Sequence, residues 1–120
     1  MAISFDKAMG IHPEALNFRV QRSKIIASNL ANVNTPNYLA KDLSFETIMS
    51  KAPVGRVEQA QKSIISEVLY RIPYQNSQDG NTVELNVEQA KFAQNSMDFQ
   101  TSLSFLNMKI NGLSKAIKGR

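Results

Sequence analysis

Residues 99–117 read FQTSLSFLNMKINGLSKAI, with apolar side chains at Phe99, Leu103, Leu106, Ile110, Leu113 and Ile117. Their spacing alternates between four and three. That is the seam of a helix that packs lengthwise on another helix. One row extends upstream in steps of seven through Phe92 to Leu85, and the other reaches Ser96. Phe105 and Met108 lie beside the seam and widen it. A stripe of this length points to an elongated partner surface rather than to a pocket with chemistry in it.

The start of this helix is readable. Asn86 is placed to cap it, Gln89 stands three residues later in capping-box position, and Glu84 and Glu88 suit the positive end of the dipole. No glycine or proline follows until Gly112, which weakens a helix by roughly 1 kcal/mol relative to Ala. The seam continues past it, so the spacing predicts a helix to about Lys118, ~48 Å long at the standard rise. Lys109, Lys115, Lys118 and Arg120 fall in its last turns, where cations suit the negative dipole end.

A second long helix is expected near the N-terminus, from about residue 4 to residue 32. Met9, Leu16, Val20, Ala27 and Leu30 fit a three/four spacing, and the small side chains of Ser23 and Ala27 permit close approach of another helix. Gly10 and Pro13 interrupt its first turns. Pro13 fits the first helical position, so the ordered helix can begin at His12 and leave residues 1–11 as an arm or a kinked extra turn. It stops in Asn29, Leu30, Ala31, Asn32, Val33, Asn34, Thr35, Pro36, Asn37 and Tyr38. Asparagine tolerates the left-handed conformation that closes helices, and Thr35 precedes a proline. Between the helices, residues 39–69 satisfy no clear period. Residues 52–55 look like a loop, and residues 56–69 fit either a short helix or a strand. Tyr70 to Tyr74 alternates and reads as extended, and Asp79-Gly80 reads as a turn.

The expected fold is therefore mainly α. Long terminal helices pack as a coiled-coil-like pair, parallel or antiparallel, around a short irregular or extended middle. The units are residues 1–38, 39–83 and 84–120, with both ends forming one axial domain.

Composition narrows the function. The 120 residues are 42% hydrophobic and carry a net charge of +4, with a pI near 9.5. The chain has no cysteine and one histidine. Disulfides are excluded, and zinc is not expected at a lone His12 beside a proline. No nucleophile elbow, phosphate loop or paired carboxylates appear, so no catalytic constellation can be named. No enzyme activity and no cofactor is expected. No run approaches the ~20 apolar residues that span a bilayer, and MAISFDKAMG lacks the apolar stretch of a cleavable signal. A small basic nucleic-acid-binding helical protein is the alternative from another class, supported by the positive charge alone.

The run Ala31-Asn32-Val33-Asn34-Thr35-Pro36-Asn37-Tyr38, directly after an amphipathic helix, resembles the signature of bacterial flagellar rod and hook axial proteins. In those proteins a glycine commonly stands where this chain has Asn37. The stretches at residues 3–8, 38–42 and 70–73 and the loop Asp79-Gly80-Asn81-Thr82-Val83 narrow the likeness to the proximal rod, and residues 46–66 look short for the family. The resemblance implies a structural subunit that polymerises through its terminal helices, transmits torque and encloses the export channel. It implies export by the flagellar type III apparatus without a cleaved signal, and a place in the periplasm-spanning basal body. The implied partners are copies of itself, other rod proteins and the membrane-ring/export-gate end, with no nucleic acid and no small-molecule substrate. The expected assembly seam is Leu16, Val20, Ala27, Leu30, Phe92, Phe99, Leu103, Leu106, Ile110, Leu113 and Ile117. The expected signature turn is Asn29, Ala31, Asn32, Thr35, Pro36, Asn37 and Tyr38, and the expected pre-helix loop is Asp79, Gly80, Asn81, Thr82 and Val83.

Overall fold

A computed structural model describes residues 8–47 and 68–119. The expectations placed on residues 1–7, on the loop at 52–55 and on residues 56–67 lie outside them. Two long helices dominate: α1, His12–Ala31, and α2, Leu85–Lys118. Between them lies a two-stranded antiparallel ribbon of β1, Lys41–Asp42, and β2, Leu69–Tyr70. At 20 and 34 residues the helices are about 30 and 51 Å long. They run antiparallel: Asn29 meets Glu88, Arg19 meets Asp98, and His12 lies beside Phe105.

The first helix begins where the proline allows it. Ala8 and Met9 form a preceding helical stub, Gly10 turns the chain at φ +65°, and α1 then starts at His12 with Pro13 in its first turn. That is the kinked extra turn, over the part of it that is described. The second helix corrects one expectation. Its N-cap is Glu84, and no side chain caps it. The capping box of Asn86 and Gln89 does not form because the helix already begins at Leu85. The Glu84 carbonyl accepts the Glu88 amide, and the Glu84 carboxylate accepts the Gln75 amide at 2.9 Å instead. Gly112 passes without a break, and Gly119 closes the helix.

The buried face of α1 is not the stripe expected to form the assembly seam. It runs through Ala15, Phe18, Ile26 and Asn29, whereas Val20 and Ala27 are exposed and Leu16 and Leu30 half-buried. The middle of the chain decides this. Leu43, with Ile25 and Val68, packs on Phe18, and the Phe45 ring meets Phe18 edge-on at 5.2 Å. Arg19 lies over the Phe45 ring, its guanidinium carbon 4.6 Å from the centroid. Among the described residues, the middle segment therefore covers one face of the helix pair and leaves the other open.

The apolar core is small. Among the described residues its buried members are Ala15, Phe18, Ile26, Ala40 and Leu43, and buried polar side chains rival them in number: Glu14, Asn29, Asn81, Glu88 and Asn95. The molecule measures 63 × 25 × 19 Å with a radius of gyration of 17.7 Å, against about 14 Å for a compact chain of this length.

Candidate assembly interface

The two sequence motifs that flank the middle segment meet in space. Asn81 inserts its side chain into the signature turn. Its amide nitrogen donates to the carbonyls of Asn32, Val33 and Thr35 at 3.0, 2.9 and 2.8 Å, while its Oδ1 accepts the Val83 amide at 2.7 Å. The turn has its own internal bonds: Asn32 Nδ2 donates to the Ser28 carbonyl at 2.7 Å, and the Thr35 hydroxyl donates to Asn32 Oδ1 at 3.1 Å. The carbonyls of Ser28, Asn32 and Thr35 also accept the backbone amides of Asn32, Thr35 and Tyr38, so the side-chain bonds reinforce the turn after α1 and supply the Val33 carbonyl with its partner. Asn37 sits at φ +61°, the left-handed region a glycine adopts without penalty. Gly80 faces it at φ +75°, and a Cβ there would lie 2.5 Å from Asn37 Oδ1. The turn and the loop thus close against each other at Gly80, whose positive φ strains any other side chain and where an added Cβ would displace the Asn37 carboxamide. The Asn37 amide donates to the Asp79 carbonyl at 2.9 Å, the Thr82 amide to the Tyr38 carbonyl at 3.0 Å, and Thr82 Oγ1 accepts the Ala40 amide at 2.7 Å. Pro36 is exposed and Ala31 lies at the helix end.

A buried polar network links this clamp to both helices. Asn29 is fully enclosed, and its Nδ2 donates to the Lys41 carbonyl at 2.7 Å and to Glu88 Oε2 at 3.1 Å. Its Oδ1 accepts the Lys41 amide at 3.1 Å and the Tyr38 hydroxyl at 3.4 Å. Arg71, just after β2, bridges Glu88 Oε1 and Asp42 Oδ2, the latter at 2.8 Å. Arg22 of α1 grips the same Asp42 through Nε at 3.0 Å and Nη2 at 3.3 Å. Burial pushes the Asp42 carboxyl up, but hydrogen bonds from Arg22 and the Leu43 amide, the charge of Arg22 and the bond from Arg71 outweigh it. The group is held below the usual carboxylate range. Further along the pair, Asn95 Nδ2 donates to the Arg19 carbonyl at 2.9 Å and the Ser23 hydroxyl at 2.6 Å. Sequence reasoning passed over Arg22, Asp42, Arg71, Asn95 and the role of Glu88. Each is an ordinary polar residue until the chain brings its partners, between 17 and 76 positions away, alongside.

The expected seam is left mostly uncovered. Phe92, Leu103 and Ile110 are 39–45% exposed and Ile117 85%, while Phe99, Leu106 and Leu113 are half-buried. On α1, Val20 faces the same open side. Val20, Ser23, Ser96, Phe99, Gln100 and Leu103 line one shallow groove between the helices, and Met9, Ile110, Leu113 and Ile117 line another toward the end of α2. What is assembled here can bind a partner along its length. Among the described residues, no three His, Asp or Glu side chains are placed to hold a metal, and no helix is long and apolar enough to cross a membrane.

Comparison with known proteins agrees in kind. The family model for the flagella basal body rod protein matches residues 9–38, which are α1 and the signature turn. A flagellar basal body rod protein FlgB of Aeromonas hydrophila is 42% identical, covering 99% of this chain and 98% of its own length.

The chain belongs to the FlgB family of flagellar basal-body rod proteins.

The FlgB of Cereibacter sphaeroides is 41% identical over 96% of this chain and 97% of its own length, and that of Escherichia coli K12 is 36% identical over 98% of each. FlgB proteins are structural rod subunits, and the long paired helices here fit that role. The alignment to the A. hydrophila FlgB runs over 130 residues, so that relative carries residues which this 120-residue chain lacks. Neither the fold nor the comparisons support the nucleic-acid alternative.

Proposed function

We propose that this subunit polymerises in the flagellar rod through the open side of its helix pair, with Val20, Phe92, Phe99, Leu103, Ile110 and Ile117 as the contact row and the half-buried Leu106 and Leu113 at its inner edge. The observation that carries the reading is the half-exposed apolar stripe on α2, on the side of the pair opposite the described part of the middle segment. Hydrophobic burial is roughly proportional to the area removed from water. A half-exposed row of Phe, Leu and Ile along a helix of 34 residues therefore gains most from a partner that runs its whole length. Copies related by a contact that does not close on itself build a helical filament. Such a filament transmits torque along its axis and encloses a channel. Its neighbours are copies of this chain, other rod proteins and the membrane-ring/export-gate end of the basal body. The family resemblance further supports delivery by the flagellar type III export apparatus without a cleaved signal. Export of a separable helix pair is compatible with its small apolar core.

The signature turn and pre-helix loop, closed by Asn81, form the rigid end of the subunit, and they shape the joint to the next one. Replacing Leu106 or Ile110 by Asp is expected to abolish assembly and motility while export of the chain continues, read by subunit secretion beside swimming. Loss of secretion together with assembly would count against this reading.

A further inference from the structure

The two residues of α2 most completely buried against α1 are Glu88 and Asn95, one heptad apart, and neither is apolar. At 100° per residue, Glu88, Asn95, Leu106 and Leu113 lie within about 20° of one line along the helix. Phe92, Leu103 and Ile110 lie roughly 40–60° round from Glu88. Apolar burial alone would turn α2 by that angle and bring Phe92, Leu103 and Ile110 onto α1. The observed rotation leaves them outside.

We infer that Glu88 and Asn95 are positioning residues that fix the rotation of α2 about its own axis and hold the apolar row outward for assembly. The inference rests on the seam reading given above. Turning α2 would strip Asn29 Nδ2 and Arg71 of the Glu88 carboxylate, and the Arg19 carbonyl and Ser23 hydroxyl of the Asn95 amide. Asn29 is fully enclosed, so water does not reach its amide to replace the lost bond, and Arg71 keeps only 15% of its side chain exposed. Asn95 Oδ1 is buried with no hydrogen-bond partner among the described residues, a cost that an apolar side chain in its place would not carry. A polar side chain inside a helix–helix contact is the best attested way to specify one arrangement at the expense of stability. Thr and Ser positions nearby carry no such load: Ser96 and Thr101 only bond back to their own helix at Phe92 and Met97.

The chain has no cysteine, so single thiols report on rotation directly. Leu103→Cys places one on the open side and Ser102→Cys one on the side away from it. The rate of alkylation of each is measured in the full-length monomer, with Glu88 and Asn95 intact and with Glu88→Leu/Asn95→Leu. The expected result is opposite movement: the Leu103→Cys thiol slows at least tenfold, and the Ser102→Cys thiol speeds up several-fold. Unchanged rates, or both thiols speeding up together as a loosened helix would give, overturn the proposal. If the double variant does not fold, Asn95→Leu alone is read at the same two positions by the same criterion. Assembly is followed separately by sedimentation. A variant whose thiols exchange as expected but which still polymerises at the wild-type concentration leaves the rotational lock standing and removes the seam reading instead.

Discussion

Asn81 shows how much a single side chain can hold in a protein with little apolar core. It donates to three carbonyls of the turn after α1 and accepts an amide of its own loop. The Asn32 and Thr35 carbonyls keep the amides of Thr35 and Tyr38, but truncation takes the bonds from the Val33 carbonyl and the Val83 amide, and an unsatisfied buried group costs about 1–3 kcal/mol. Asn81→Ala is therefore expected to lower unfolding stability by about 2–3 kcal/mol in urea titrations. Pro36→Ala, in an exposed position of the same turn, changes it far less. Asp42 gives a second expectation, in pH. Its folded-state pKa lies below the ordinary value, so the stabilisation it contributes is fully present above the unfolded carboxylate pKa near 4. That stabilisation is lost as pH falls through the lower folded value. Stability measured from pH 6 downward should fall over that acid range in the wild type. Asp42→Asn should start lower and show a shallower acid slope, because no proton is taken up there. A slope identical in the two proteins would place the acid transition elsewhere.

At the scale of the element, α2 was legible and its surroundings were not. An alternation of four and three over residues 99–117 needs a helix, and no glycine or proline opposed it before Gly112. The structure runs α2 to Lys118. A Cβ at Gly112 would meet nothing within 4 Å, so the residue is not there for close packing. Gly112→Ala should raise the helix's contribution by about 0.5–1 kcal/mol, seen as slower amide exchange over residues 106–118. The start of the helix was read two residues late because a cap is decided by which residue leaves the helical conformation. The Glu84 carboxylate is occupied by the Gln75 amide, a contact 9 positions away along the chain. The face of α1 that packs within the subunit was not legible for a similar reason. Leu16, Val20, Ala27 and Leu30 make a plausible stripe, but the row through Ala15, Phe18, Ile26 and Asn29 is the one that Leu43 and Phe45 cover. Two overlapping stripes on one helix cannot be ranked without knowing which neighbour arrives.

The whole molecule is an elongated subunit that exposes more surface than its mass requires. Its accessible area of 8342 Å² compares with about 6,500 Å² for a compact monomer of 13.4 kDa. Stability of such a chain depends on burying the remainder against other molecules, and binding to the folded form shifts unfolding by mass action. Helical signal and melting temperature should therefore rise with protein concentration in circular dichroism. A single unshifted melt across a hundredfold range would contradict a subunit that completes itself in an assembly.

Sequence alone determined the elements and their character. Helical periodicity and the Asn-Thr-Pro stop each act locally, so the two terminal helices and the turn between residues 29 and 38 could be read along the chain, and the family likeness carried by that turn pointed to the structural role. Tertiary structure decided which sides of those helices face inward. Hydrophobic periodicity records where a helix is greasy without recording which partner removes it from water. Here Arg71, Asp42, Arg22, Asn29 and Glu88, drawn together from separate segments, settled the matter. Charges and amides buried together must satisfy one another in space, and no spacing in the sequence announces that they will meet.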